Sequence, residues 1–343
     1  MPLIWQSLFM VVPVVSTTFA SFSRQFRHMG TGSIGWLFID EAGQAVPQAA
    51  VGALWRAQRA LIVGDPLQIE PVFTVPTALI NALALQSPST EGGDYSPART
   101  SVQRLADDAN PYGTSVPVDG NEQLWIGSPL RVHRRCVDPM FSIANRIAYQ
   151  DKMVFGLNSR EPSGDDLNLG KSAWINICGK TSSKQVVPRQ VEVVIALIKK
   201  LYARDGVLPS LYIISPFKAI KNELSRQFLD VDWVGLFGKR RPTKKALRDW
   251  CTNRIGTVHT FQGKEEKVVL LVLGTDDDSR GAANWAASKP NLLNVALTRA
   301  QQRFYVVGDS ALWGGLPHFK DALPPLEITT ADAWLARCDV AVA

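Results

Sequence analysis

Short apolar runs, each ending in small or polar residues, punctuate the chain. They are LFIDEAGQ (37–44), ALIVGDPLQ (60–68), LYIISPF (211–217), KVVLLVLGTD (267–276) and RFYVVGD (303–309). Their apolar positions are continuous instead of alternating, so each reads as a strand buried on both faces. Helical stretches between them predict parallel strands in an α/β fold. Ligands of such sheets gather beyond the carboxyl ends of the strands, where Asp40-Glu41, Gly64-Asp65 and Ser215-Pro216 stand. Residues 186–201, VVPRQVEVVIALIKKL, carry the spacing of an amphipathic helix packed on a sheet. Near the start, VVPVVSTTFA (11–20) reads as a further buried strand after a helix end.

The pattern breaks between 85 and 122, a stretch rich in Ser, Pro, Gly and Asp with one helical patch around Val102–Ala109. That change predicts a surface excursion and a domain boundary near 123, giving domains 1–122 and 123–343. A length of 343 residues suits two domains. A hydrophobic share of 46% and a charged share of 20% exclude a disordered chain. The apolar opening, residues 1–20, lacks a basic leader and is interrupted by Gln6 and Pro13, which argues against a membrane span. Four widely spaced cysteines fit neither a zinc site nor a disulfide scaffold, so reduced thiols and a cytoplasmic location are expected.

Five segments carry candidate chemistry. In DEAGQ, a strand-end Asp40 suits Mg²⁺ beside a nucleotide and Glu41 suits polarising an attacking water; the same pair also suits a solvated turn. In GDPLQIEP, Asp65 can bond a neighbouring loop and Gln68 a phosphate or water, although Asp-Pro also builds an ordinary turn. LRVHRRC packs Arg131, His133, Arg134 and Arg135 together, which serves either a phosphate clamp or a basic surface. TVHTFQGKE supplies His259, Thr260, Gln262 and a Gly263 that lets backbone approach a ligand. NVALTRA offers Thr298 and Arg299, suited to a cleft or to a structural ion pair. A sixth cluster, Lys239, Arg240, Arg241, Lys244, Lys245 and Arg248, suits phosphate-backbone binding or a solvated face. The net charge of +6 makes an anionic partner a mild expectation.

In that order, DEAGQ, GDPLQIEP, LRVHRRC, TVHTFQGKE and NVALTRA resemble the later motif series of superfamily 1 helicases, in the 1B group that includes the nonsense-mediated-decay RNA helicases and related bacterial proteins. VVSTTFAS (14–21) and IISPFKAIKNEL (213–224) resemble two further segments of that group, so the likeness spans nearly the whole chain. It implies two RecA-like α/β domains of the P-loop NTPase type, the first incomplete. It also implies an ATP-dependent helicase or translocase core that moves on single-stranded DNA or RNA. Position by position, it implies Mg²⁺ of Mg-ATP on Asp40 and water activation by Glu41. Gln44 and Gln68 would sense the γ-phosphate, with Asp65 supporting them. Arg135 and Arg299 would act as arginine fingers and Glu265 would contact the ribose, with Gln262 and Gly263 beside the nucleotide. Thr17, Thr18, Pro216, His259 and Thr260 would lie along the nucleic-acid track.

Two departures qualify the likeness. The family's Gln-Tyr-Arg is His133-Arg134-Arg135 here, so Arg134 stands where a Tyr stacks on adenine. No G-x-x-x-x-G-K-[ST] phosphate loop occurs. The nearest string, Gly164 to Ser172, has five residues between its glycines and follows a polar stretch. The chain therefore reads as the C-terminal part of a helicase whose N-terminal segment is missing. The alternatives are a nucleoprotein-remodelling ATPase and an inactive fragment that binds nucleic acid or a partner.

Overall fold

The computed structural model describes residues 2–86, 95–117, 123–261 and 263–338. The chain divides into two compact units, residues 1–130 and 131–343. Gln262 and part of the excursion at 85–122 lie outside the described residues.

The first unit is built on one parallel pair. β1 (Ile34–Ile39) and β2 (Ala57–Ile62) run in register from Ile34↔Ala57 to Ile39↔Ile62, joined by the helix Pro47–Arg56. Pro47 begins that helix where a missing N–H costs nothing. One face of the pair packs on two cores. Phe22, Phe26, Met29 and Ala53 form the first, and Ile39, Ala42, Ala50 and Val102 the second. The other face does not follow the expectation of strands covered on both sides: Trp36 is 56% and Phe38 65% exposed. Their rings stack at 6.0 Å and Arg59 lies over Trp36. The unit also holds an antiparallel pair, β3 (Thr114–Pro117) and β4 (Gln123–Ile126), and the helix Thr77–Gln86.

The expected strand at 11–20 is not formed. A helix, Pro2–Val11, gives way to open chain, and a second helix, Phe19–Gln25, starts at Thr18. Pro13 removes a ladder donor, and Val12 and Val14 are exposed instead of paired.

The second unit holds β5 (Val132–His133), β6 (Val154–Phe155), β7 (Ala173–Asn176), β8 (Tyr212–Ser215), β9 (Ile255–Thr257), β10 (Glu266–Val272), β11 (Ala300–Gly308) and β12 (Glu327–Thr330). Six of these form one sheet in the order β12-β7-β11-β10-β8-β9, parallel throughout. Val268 to Val272 are buried at five successive positions, so both faces of β10 are covered, as continuous apolar strands require. Right-handed crossovers explain the layering. The helices Pro188–Asp205 and Lys218–Asp230 carry the chain from β7 out to β9, whereas Asn291–Arg299 returns it from β10 to β11 on the opposite face. The amphipathic stretch becomes the helix Pro188–Asp205, ended by Gly206 at φ 71°. The α/β expectation with parallel sheets is borne out. Among the described residues no helix is long and apolar enough to cross a membrane.

Gly274, at φ 62° beyond β10, has no room for a side chain: a Cβ there would run into the Gln185 carbonyl oxygen and Ile220 Cδ1. Gly281, on the helix Arg280–Ala287, has nothing within 4 Å of the same position. Gly274→Ala is expected to lower unfolding free energy by more than about 1 kcal/mol. Gly281→Ala is expected to raise it by up to about 1 kcal/mol. Urea denaturation of the two variants checks the contrast; equal midpoints would contradict it.

Candidate nucleotide and nucleic-acid sites

In the first unit, β1 delivers Asp40 to its carboxyl end, and the chain then turns sharply through Glu41, whose φ is 53°. The Glu41 amide donates to Asp40 Oδ1 at 2.9 Å, and Asp40 is exposed. Gln44 Nε2 reaches Glu41 Oε2 at 3.4 Å. The turn after β2 is equally self-braced, since Asp65 accepts from Leu67 N at 2.8 Å and from Gln68 Nε2 at 3.0 Å.

The two turns are locked to each other. Ala42 N donates to Val63 O at 3.0 Å and Val63 N to Ile39 O at 2.8 Å. A Cβ on Gly43 would lie 2.8 Å from Asp65 O, and one on Gly64 would lie 2.8 Å from Gly43 N. Both glycines are therefore required by close backbone approach. The structure thus brings Asp40, Glu41, Gln44, Asp65 and Gln68 together. Asp40 fits a nucleotide-borne Mg²⁺, which commonly takes one or two protein carboxylates and leaves its remaining positions to phosphate and water. Among the described residues no group of three His, Cys, Asp or Glu forms a self-sufficient metal site.

A third element was not foreseen as part of this site. The helix Val102–Ala109, capped by Ser101 Oγ on Arg104 N, donates Val102 N to Ala45 O at 2.9 Å and packs Val102 on Ile39 and Ala42. Gln103 Oε1 stands 2.9 Å from where a Cβ on Gly64 would be. At its far end Asp107 accepts from Gly127 N and Gln103 Nε2, and burial pushes its carboxyl up. The helical patch read at 102–109 is borne out, with Ser101 at its cap; its contact with the two turns carried no local signal. Thr17 and Thr18 lie elsewhere in this unit, at the start of the helix Phe19–Gln25.

In the second unit the candidate residues divide between the two rims of the sheet. At the amino ends of β10 and β11, Arg135 Nε pairs with Glu265 Oε2 at 3.0 Å, and Gln301 Nε2 donates to Glu265 Oε1 at 2.9 Å. Arg299, 1% exposed, donates to Lys264 O at 3.1 Å and to Thr298 Oγ1 at 3.3 Å. Gly263 makes the turn at φ 74°. Arg134 is exposed beside Arg135. His133 does not join the cations: its Nε2 accepts from Cys136 N at 3.0 Å, and burial pushes the Cys136 thiol up to about 12, leaving it unreactive. Gln301 and Lys264 were missed by sequence reasoning because neither belongs to a recognisable charge pattern.

At the carboxyl ends, Pro216 follows β8, and His259 and Thr260 follow its neighbour β9, with Ser215 paired to Thr257 in the ladder. Thr260 Oγ1 accepts from Thr257 N at 3.2 Å, while Val258 and Phe261 anchor the turn in the core. The basic run 239–248 occupies a short helical turn and the start of the helix Lys244–Arg254, mostly exposed.

An AAA domain matches residues 124–311, and a second AAA domain matches residues 6–75. MOV-10 of Gallus gallus is 24% identical over 84% of the chain, and the 5'-3' DNA helicase ZGRF1 of Mus musculus 23% over 84%. The regulator of nonsense transcripts 1 homolog of Neurospora crassa is 22% identical over 83%. The chain spans 31%, 14% and 24% of those three relatives. Among solved structures, the arterivirus nonstructural protein 10 helicase with DNA covers 82% of this chain and 41% of its own, at 13% identity and a TM-score of 0.35. One AAA-domain match alone takes in more than half of the residues: the chain belongs to the AAA-domain family, and its likeness is to superfamily 1 helicases that include those of nonsense-mediated decay.

Proposed function

We propose that these residues form the later portion of an ATP-driven helicase or translocase core acting on single-stranded DNA or RNA, in the cytoplasm. Residues 1–122 would contribute part of a first RecA-like domain and residues 123–343 a second. The observation that carries the reading is the locked pair of turns in the first unit, which holds Asp40, Glu41, Gln44, Asp65 and Gln68 on one rigid backbone. Phosphoryl transfer needs positioning and charge neutralisation more than covalent help.

In this reading Asp40 holds Mg²⁺, Glu41 orients the attacking water, and Gln44 and Gln68 contact the γ-phosphate. Bound Mg-ATP supplies the transferable phosphoryl group. Arg135 and Arg299 neutralise charge on it, and Glu265, Gly263, Gln262 and Arg134 border the nucleotide. Thr17, Thr18, Pro216, His259 and Thr260 contact the strand. A second reading, a nucleic-acid-binding module without turnover, is favoured by one observation: the 343 residues contain no G-x-x-x-x-G-K-[ST] cradle for the phosphates.

Arg135 owes its placement to its neighbour. His133 is held neutral, its pKa lowered to about 4 by burial and by the Arg135 charge. In that form its Nε2 is free to accept the Cys136 amide. The folded value lies below the unfolded one, near 6.5. The stabilisation is therefore complete above about 6.5 and is lost as pH falls through about 4. An NMR titration is expected to place the His133 midpoint near 4; a midpoint near 6.5 would contradict the geometry.

Binding of a single-stranded oligonucleotide is expected to weaken by an order of magnitude or more between about 50 and 200 mM salt, since Lys and Arg contacts displace counterions. A flat profile in an anisotropy titration would overturn the nucleic-acid reading. The 343-residue chain is expected to release phosphate from ATP at background rates, because several preorganised donors to the phosphates are lacking. In any longer natural chain carrying these residues, Glu41→Gln is expected to retain nucleotide and to lower turnover by about 10²-fold or more. Arg135→Ala there is expected to lower it by about 10³-fold. Near-normal turnover in either variant removes that residue from the mechanism.

A further inference from the structure

Trp285 is 61% exposed, while Trp174, Trp313 and Trp334 fill the core of the same unit. It lies on the helix Arg280–Ala287, which buries Ala283, Ala286 and Ala287 and turns Gly281, Asn284 and Trp285 outward. That helix follows the carboxyl end of β10, so it stands on the same rim as Pro216. The next residue after Pro216 is Phe217, whose ring centroid lies 6.2 Å from that of Trp285 with the planes 38° apart. Phe217 is itself buried. The indole thus has a buried aromatic neighbour in tilted contact, and nothing lies within 4 Å of a Cβ placed on Gly281 of the same helix.

The platform is fixed from below. Asp276, just ahead of the helix, accepts from Thr181 N and Oγ1 and from Ser279 N and Oγ, at 2.8 to 3.0 Å. These four donors hold its carboxyl well below the usual carboxylate range. Two of the three acids here are offset by cations, Asp278 by Lys180 at 3.0 Å and Asp277 by Arg280 at 3.8 Å. Lys218 follows Phe217 directly and is exposed.

We propose that Trp285, backed by Phe217, is a base-stacking platform that extends the Pro216 rim and receives one unpaired base of a single-stranded nucleic acid. The inference rests on the proposed nucleic-acid reading of that rim. Every base presents a π-face, so the platform tolerates any sequence, and the adjacent lysine serves the backbone.

The test is binding of fluorescein-labelled oligo-dT to the full 343-residue chain by anisotropy, over a series of salt concentrations. Trp285→Ala is expected to weaken binding by about 5- to 100-fold. Its salt slope should stay that of the unsubstituted protein, because no phosphate contact is removed. Trp285→Phe should recover most of the loss. An abasic oligonucleotide of equal length should bind the unsubstituted and Trp285→Ala proteins alike. Equal oligo-dT binding by both proteins, or a loss that persists on the abasic strand, overturns the platform while leaving the nucleic-acid reading intact. No oligonucleotide binding by the unsubstituted protein overturns both.

Discussion

A parallel sheet covered on both faces has only its two rims to offer to chemistry, and that constraint organises the second unit. Five successive buried residues on β10 close both faces. Apart from the basic run 239–248, the polar candidates are consequently found near the ends of strands. The segment from Val258 to Glu265 joins the rims, leaving β9 at its carboxyl end and entering β10 at its amino end. Val258 and Phe261 pin it into the core, and Phe261 stacks on Tyr212 at 4.3 Å. His259 and Thr260 therefore sit on one rim and Glu265 on the other, with fewer than ten residues between. A displacement of the two buried anchors, Val258 and Phe261, is felt on both sides of them, since close-packed interiors transmit shifts and do not absorb them.

The first unit solves a different problem, holding two turns in one geometry without a large sheet. Backbone does most of it. Gly43 and Gly64 allow the turns to touch, and the hydrogen bonds from Ala42 and Val63 zip the strand ends together. The helix Val102–Ala109 then clamps the assembly from a distance of about forty residues along the chain. Such a frame leaves the Asp40 side chain exposed yet fixed at its base, which is what a ligand-borne cation needs of a protein carboxylate. It also leaves Trp36 and Phe38 facing outward, an apolar face of the kind that protein chains usually cover.

Much of this could be read along the chain because strand-end motifs are local. An apolar run followed by DEAGQ or GDPLQ states both the strand and the rim on which its polar residues fall, and the helix of 186–201 announced itself by spacing. Contacts across long sequence distance could not be read. Arg135 meets Glu265 only because the chain entering β11 lies beside the 131–137 segment, where Val137 N donates to Gln301 O at 3.1 Å. The helix at 102–109 was legible as a helical patch, but its packing against the Asp40 turn, more than fifty residues away along the chain, was not. The strand expected at 11–20 failed for the converse reason: valines favour strands, yet a strand needs a neighbour, and Pro13 breaks the donor row.

The two arginines at the amino rim, read alike from sequence, are physically unlike. Arg135 is about one-third exposed and its partner Glu265 nearly half exposed. An ion pair this wet is held weakly, so an incoming phosphate can displace the carboxylate at small cost. The pairing also holds the guanidinium beside Glu265, two residues beyond Gly263. Arg299 is enclosed, with Lys264 O and Thr298 Oγ1 among its acceptors. Withdrawing it would break both hydrogen bonds and leave a cavity where the buried side chain lay, a cost of several interactions at once. Its fork therefore fixes the backbone that presents Lys264 and Glu265, and any direct contact it makes with phosphate has to come to it through that turn. A lysine would supply the charge at either place, but not the planar fork that lets one side chain hold a carbonyl and a hydroxyl together.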